Sequence, residues 1–133
     1  MKTRTRLLRL PVLAAVLMAS TLAAQATIEA ETESTLSPKL RQRLASYRAD
    51  AMKGDYHAMR NIGLVWAVDS AQERPSARIM GCAWFMAVLD VHQRRANASD
   101  VTNKQTHCGP LNGTQLADAN GMVQRIKWAT VRH

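Results

Sequence analysis

The sequence predicts an all-α protein made of about four short antiparallel helices. Apolar residues recur at helical spacing in four stretches of the chain, and residues that typically start or stop helices flank these stretches. No segment of useful length shows the alternating pattern of a β-strand. Helices with one apolar face are stable when they bury those faces against each other, so a small helical assembly is expected.

The first 26 residues have the three parts of a secretory signal peptide. A basic start (residues 2–9) precedes an apolar stretch (residues 10–19), and Ala24-Gln25-Ala26 provides small residues for cleavage after Ala26. The alternative, an uncleaved anchor, needs about 18 to 20 apolar residues, and Pro11 and Ser20 interrupt any such run. No segment of the mature chain is apolar enough to cross a membrane. The sequence therefore predicts a periplasmic or secreted protein.

Cleavage after residue 26 would leave 107 of the 133 residues, which is enough for one small domain. The net charge of +8 overstates how basic this domain is, because four of the 18 Lys and Arg residues lie in the signal peptide. The mature chain carries 14 basic and 10 acidic residues, a net charge of +4. Export together with this modest charge argues against a nucleic-acid partner.

Residues 27–35 are polar and acidic and are predicted to be a disordered leader, followed by a helical domain over residues 36–133. The first helix begins where Ser37 can cap it and Pro38 suits its first position, and it runs to about Lys53. Arg41 and Arg48 lie on its charged faces, which form either a solvated surface or a partner-binding surface.

Gly54 is predicted to end the first helix, and Asp55 to cap a second helix that reaches about Ala71. A turn at residues 73–76 precedes a third helix from Ala77 to about Arg95, the most apolar of the set and hence the central one. The polar stretch 96–113 is predicted to be a long loop. A final helix is expected to begin at Thr114 and to end near Trp128, and its inward face is formed by Leu116, Ala119, Val123 and Ile126.

The two cysteines, Cys82 and Cys108, are predicted to form a disulfide, because an even count in an oxidising compartment favours pairing. The bond would hold the predicted loop against the third helix. The alternative is a zinc site that uses Cys108 with His107 and His92, but it lacks further ligands at metal spacing. We therefore expect neither a metal nor another cofactor.

The residues that catalysis requires are not arranged as a recognisable site, so we expect that the protein is not an enzyme. Both cysteines are assigned to the disulfide, and no G-x-S-x-G motif occurs. Most carboxylates lie at helix starts or in loops, where capping explains them. Asp90 is the exception within an apolar helix, and we interpret it as a buried residue paired with Arg94, four positions later.

Two stretches, GDYHAMRNIGLVWA and ARIMGCAWFMAVL, resemble the Sel-one-like repeat, a tetratricopeptide-related helical hairpin. The residues that carry the resemblance on the first helix are Gly54, Asp55, Ala58, Ile62, Gly63 and Trp66. Those on the second helix are Gly81, Trp84, Phe85, Val88 and Leu89. The resemblance implies a tetratricopeptide-like fold, in which such hairpins stack to form a groove.

The resemblance further implies that the protein binds another protein, as an adaptor or as an inhibitor or immunity-type binder. The helical stripes predict that Trp66 and Trp84 are buried. Trp128 lies off the inward face of the final helix and is the candidate for a partner contact, with Arg41 and Arg48 as further candidates. The alternative for Trp128 is that its ring folds over the chain terminus. The alternative function is binding of anionic cell-wall or surface polymers through the positive faces of the helices.

Overall fold

The computed structural model describes residues 29–132, and the fold class over this range is all-α, as predicted, with no strand between residues 29 and 132. Five helices of nine residues or more follow one another along the chain: α1 Pro38–Met52, α2 Tyr56–Leu64, α3 Ala77–Val91, α4 Ala98–Cys108 and α5 Gly113–Thr130. None of the helices in this range is long and apolar enough to cross a membrane. The predicted signal peptide lies outside the described residues.

The chain before α1 differs from the predicted disordered leader, because residues 29–34 are helical. We call residues 29–36 the N-terminal segment. Thr32 and Leu36 are buried, and the carboxylates of Glu29 and Glu33 pair with arginines of the helical body. Two of the three acidic residues that suggested disorder therefore form ion pairs once the chain has folded.

The local signals around α1 and α2 act as predicted. Ser37 Oγ accepts a hydrogen bond from Leu40 N at 3.5 Å, with Pro38 as the first helical residue. Gly54 has a φ of +83°, which an L side chain rarely adopts, and it reverses the chain after α1. Asp55 Oδ1 then accepts from Ala58 N at 2.8 Å and caps α2.

The second helix continues beyond the predicted end at Ala71. A π-helical turn, Val65–Ser70, follows α2 directly, and a single α-helical turn, Ala71–Glu73, completes it. Trp66 and Ser70 are fully buried in the π-helical turn. The wider turn shifts the following residues around the helix axis relative to a regular α-helix.

Helix α3 is central, as predicted, and packs against α2, the π-helical turn, α4 and α5. Two glycines allow its closest contacts. A Cβ atom at Gly63 of α2 would lie 3.0 Å from Phe85 Cε1, and a Cβ atom at Gly81 of α3 would lie 2.6 Å from the backbone nitrogen of Ala67. Helix backbones approach this closely only where side chains are absent at the crossing points.

The prediction of a loop over residues 96–113 is wrong for its central part, which forms α4. The helix has few apolar residues, so it shows no apolar stripe. It begins instead with a capping box, in which Asn97 accepts from the backbone and Asp100 Oδ2 accepts from Asn97 N at 2.9 Å. The predicted disulfide between Cys82 and Cys108 is present, with 5.0 Å between the two Cα atoms, and it fastens α4 to α3.

The start of α5 also differs by two residues from the prediction. The N-cap is Asn112 rather than Thr114, because the Asn112 side chain accepts from Gln115 N at 2.9 Å while Gln115 Oε1 accepts from Asn112 N at 3.0 Å. The reciprocal pair satisfies the backbone N–H groups of Asn112 and Gln115, which is the reason that the helix begins at Gly113.

Candidate functional site

Trp128 lies on the last turns of α5 and is 60% exposed, which makes it the largest exposed hydrophobic residue of the described chain. The opposite face of α5 is buried through Met122, Val123 and Ile126. Val131 is 81% exposed, and the Arg132 guanidinium carbon lies 3.6 Å from the centre of the Trp128 ring. These three residues, which we call the Trp128 surface, combine an indole, an aliphatic group and a cation.

The backbone that carries Trp128 is fixed by contacts on both sides of it. Lys127 Nζ lies 3.1 Å from Asp90 Oδ2 at the end of α3. Thr130 packs beside Gly54, where a Cβ atom on the glycine would lie 3.6 Å from Thr130 Cβ. Trp128 is therefore held on a packed helix, and Val131 and Arg132 follow directly after the end of that helix.

The predicted environment of Asp90 is wrong. Asp90 is exposed rather than buried, and its partner is Lys127 of α5 rather than Arg94. Val88 and Val91 of the last turn of α3 face the core, whereas position 90 lies on the outer side of that turn, beside Lys127 of α5. An exposed pair of this kind contributes little to stability.

The structure does not bring the three predicted partner-binding residues together. Arg48 is paired with Glu33, and Arg41 Nη1 donates to the Ser34 carbonyl oxygen at 3.2 Å. Arg41 lies in the first turn of α1, about 20 Å along the chain direction from Gly54 at 1.5 Å per residue, and Gly54 is the residue that contacts Thr130, near the end of α5. Both arginines contact the N-terminal segment instead.

The residues of the repeat-like motif have structural positions. Gly54 and Asp55 form the turn between α1 and α2, as described above. Most of the other motif residues are buried, namely Ala58, Ile62, Gly63, Trp66, Gly81, Trp84, Phe85 and Val88, and Leu89 is half-buried. The buried motif residues lie in α2, the π-helical turn and α3, and they are covered by the fold rather than exposed at its surface.

A buried polar cluster around Asp100 was not predicted. Asp100 is 1% exposed, and its Oδ2 accepts a hydrogen bond from the Tyr56 hydroxyl at 2.7 Å. Arg60 Nε lies 2.6 Å from Asp100 Oδ1, but the two atoms are not aligned as a hydrogen bond. The attraction between the two opposite charges therefore holds this pair. Asn97 Nδ2 donates to the Tyr56 hydroxyl at 3.3 Å.

Further side chains extend the cluster to the end of α3. The Arg95 guanidinium lies 4.5 Å from the centre of the Tyr56 ring, and its Nη2 donates to His57 Nε2 at 3.0 Å. His92 Nε2 donates to the Gly54 carbonyl oxygen at 2.8 Å. The cluster thus ties the starts of α2 and α4 to the end of α3. Of the signals in the sequence, only the spacing of Asn97 and Asp100, typical of a capping box, pointed toward it.

The cysteine and histidine residues of the alternative zinc site are used in other ways. Cys108 forms the disulfide, and the His107 ring stacks on Phe85 with 5.2 Å between ring centres. Burial, with a smaller effect of the Arg78 charge, lowers the pKa of His107 below its usual 6.5. Between residues 29 and 132 no group of three or more His, Cys, Asp or Glu side chains could hold a metal ion.

The fold and the site together define a small all-α domain with one disulfide and one exposed tryptophan on its final helix. No family model, curated protein or solved structure matches the chain.

Proposed function

We propose that the protein is an exported protein–protein interaction module that binds its partner through the Trp128 surface. The exposure of Trp128 on a packed helix is the observation that carries the proposal. Tryptophan is enriched among the residues that dominate binding energy, because it buries a large apolar area while its ring N–H can still donate. Arg132, stacked on the ring, adds a cation that an acidic group of the partner can approach.

Export is supported by two independent features of the chain. The sequence begins with a pattern typical of a signal peptide, and the disulfide between Cys82 and Cys108 suits an oxidising compartment. We therefore propose a periplasmic or secreted location. The resemblance to Sel-one-like repeats, whose relatives act as adaptors or as inhibitor and immunity-type binders, agrees with a protein partner there.

The alternative, binding of anionic polymers, is less well supported because many of the cations already have carboxylate partners. Arg43 pairs with Asp69, Arg48 with Glu33, Arg60 with Asp100, Arg125 with Glu29 and Lys127 with Asp90. A polymer would have to displace these carboxylates before it could contact the cations. An apolar contact at Trp128 requires no such exchange.

We propose binding rather than catalysis because the residues that could act as a nucleophile or a general base already have structural roles. Both cysteines form the disulfide, and the carboxylates of Asp55 and Asp100 accept hydrogen bonds at the starts of helices. These groups stabilise the fold, and they belong to the residue types that supply a nucleophile or a general base in enzymes. No cofactor is part of the proposal.

The test is photo-crosslinking in the native compartment, followed by affinity measurement. A benzophenone amino acid replaces either Val131, which lies in the Trp128 surface and leaves Trp128 intact, or Val101, an apolar residue on α4 that is 43% exposed and serves as the matched control. We expect one protein to be crosslinked from position 131 and not from position 101. That protein is then purified and titrated against the wild-type chain, Trp128→Ala and Val101→Ala.

Trp128→Ala should weaken binding by about 30-fold or more, as expected for a hot-spot residue, whereas Val101→Ala should change it less than about threefold. Both variants should keep the thermal midpoint of the wild type, because neither side chain is buried. Raising the salt concentration should leave the wild-type affinity unchanged or increase it, since apolar burial is not screened. Equal affinities of Trp128→Ala and the wild type would refute the proposal.

A further inference from the structure

Four arginines from three parts of the fold contact the N-terminal segment. Arg41 and Arg48 lie on α1, Arg74 lies in the turn before α3, and Arg125 lies on α5. We call this group the arginine clasp. Arginines that lie far apart in sequence and meet one short segment form a site with a definite shape, not a general charged surface.

Each arginine of the clasp contacts a different group of the segment. Arg125 pairs with the Glu29 carboxylate, and Arg48 pairs with the Glu33 carboxylate. Arg41 Nη1 donates to the Ser34 carbonyl oxygen at 3.2 Å, and Arg74 Nε donates to Thr35 Oγ1 at 2.9 Å. The segment therefore runs from α5, across α1, to the turn before α3.

The two carboxylates that the clasp binds are four residues apart in a helical stretch, so they lie on the same face of the segment. Glu31, which lies between them, is exposed and has no ion pair in the described chain. Thr32 and Leu36 are buried against the body. The arginine clasp therefore fits an acidic helical turn that has carboxylates at positions i and i+4. Buried side chains of the same turn add a small apolar contact with the body.

The bound segment is open to exchange. Glu29 and Glu33 remain partly exposed, as do Arg48 and Arg125, and partly exposed ion pairs contribute little to stability and weaken with salt. The segment's main advantage over a competitor is that it belongs to the same chain, which gives it a high effective concentration. A partner that offers the same carboxylate pattern and additional contacts elsewhere can overcome this advantage.

We propose that the arginine clasp is a binding site for an acidic helical segment of a partner protein, and that the chain's own residues 29–35 occupy it as an intramolecular competitor. The site differs from the Trp128 surface, and its occupancy does not depend on Trp128. Arg125 nevertheless lies one turn before Trp128 on α5. One partner can therefore reach both sites.

The test uses the chain from residue 27 to residue 133 and a fluorescein-labelled peptide with the sequence of residues 27–36, followed by fluorescence anisotropy. The variant Glu29→Gln with Glu33→Gln removes the competing charges at constant side-chain size. We expect this variant to bind the peptide at least tenfold more tightly than the wild type does. Adding Arg48→Gln and Arg125→Gln to the same variant should abolish the gain.

Three controls make the result specific. Arg94→Gln with Lys104→Gln removes the same charge from exposed residues outside the clasp and should change the affinity less than twofold. If the variant with Arg48→Gln and Arg125→Gln does not fold, Arg41→Gln with Arg74→Gln replaces it and should likewise abolish the gain in peptide affinity. Trp128→Ala should leave peptide binding unchanged, so this proposal and the proposed function can fail separately.

A peptide of the same composition with its three glutamates adjacent should bind at least fivefold more weakly than the native sequence. Equal binding of that peptide, of polyglutamate and of the native peptide would overturn the proposal in favour of a general affinity for anionic polymers. Equal affinity of the wild type and the Glu29→Gln, Glu33→Gln variant, or no binding to either, would show that the clasp does not accept a segment in trans.

Discussion

Tyr56 and Asp100, 44 residues apart in the chain, meet through a buried hydrogen bond of 2.7 Å between the hydroxyl and Oδ2. This contact joins the first residue of α2 to the first turn of α4. The other end of α4 is joined to α3 by the disulfide at Cys108. The polar helix α4 is therefore held at both ends by specific bonds, since it has little apolar surface to bury.

Replacing Asp100, which is buried, should be among the most destabilising changes in α4. Asp100→Ala removes the partner of Arg60, the acceptor of the Tyr56 hydroxyl and half of a capping box, and we expect a loss of about 3 to 5 kcal/mol in the free energy of unfolding. Chemical denaturation followed by circular dichroism measures it. Asp50→Ala, at an exposed carboxylate, is the control and should cost less than about 0.5 kcal/mol. Equal effects would contradict a structural role for the cluster.

The stability of the protein should fall at alkaline pH because of Tyr56. The hydrogen bond to Asp100, followed by burial and the Asp100 charge, raises the pKa of Tyr56 above its ordinary 10.0. The folded state thus holds this proton more tightly than the unfolded state, so the contribution is complete below pH 10.0 and is lost as the pH rises through the folded pKa. Ultraviolet titration should show one late tyrosine whose ionisation accompanies unfolding. In Tyr56→Phe, that late step should be missing.

Reduction of the disulfide should destabilise the fold and act first on α4. Releasing a bond between cysteines separated by 26 residues removes about 3.5 kcal/mol in the chain-entropy treatment. Thermal unfolding with and without a thiol reductant measures the loss, and the variant Cys82→Ala with Cys108→Ala should match the reduced protein. Hydrogen exchange should accelerate most in residues 98–108. An unchanged midpoint after reduction would argue that packing alone holds α4.

Two glycine-to-alanine changes should have opposite effects on stability. At Gly81 the added methyl carbon would lie 2.6 Å from the backbone nitrogen and 2.7 Å from Cα of Ala67, so the π-helical turn Val65–Ser70 and α3 must separate, and we expect a loss of about 2 kcal/mol or more. At Gly113, the first residue of α5, no atom lies within 4 Å, and alanine should stabilise the protein by about 0.4 to 1 kcal/mol. Denaturant titration of both variants measures the two changes in the free energy of unfolding. If Gly81→Ala left this free energy unchanged, the backbones would not approach as closely as the structure shows.

Local patterns predicted the elements whose signals are contained in a few adjacent residues. The caps at Ser37 and Asp55 and the turn at Gly54 needed only their own neighbours to act. Trp128 was predicted to lie off the apolar face of α5, and it is exposed there. Helix α4 was not predicted, because helices were predicted from an apolar stripe. A helix that is held by Asp100 and Cys108 does not need an apolar stripe.

The sequence by itself determined the fold class and the central position of α3, because helical periodicity and hydropathy are properties of the chain alone. It predicted the pairing of the two cysteines, and the structure places them at bonding distance. Only the tertiary structure decided which distant charges meet. Glu33 pairs with Arg48, and Asp90 pairs with Lys127 rather than with Arg94. Ion pairs are chosen by distance in space, and the helix packing that sets those distances depends on contacts far apart in the sequence. The same packing turned a predicted disordered leader into a segment held by four arginines.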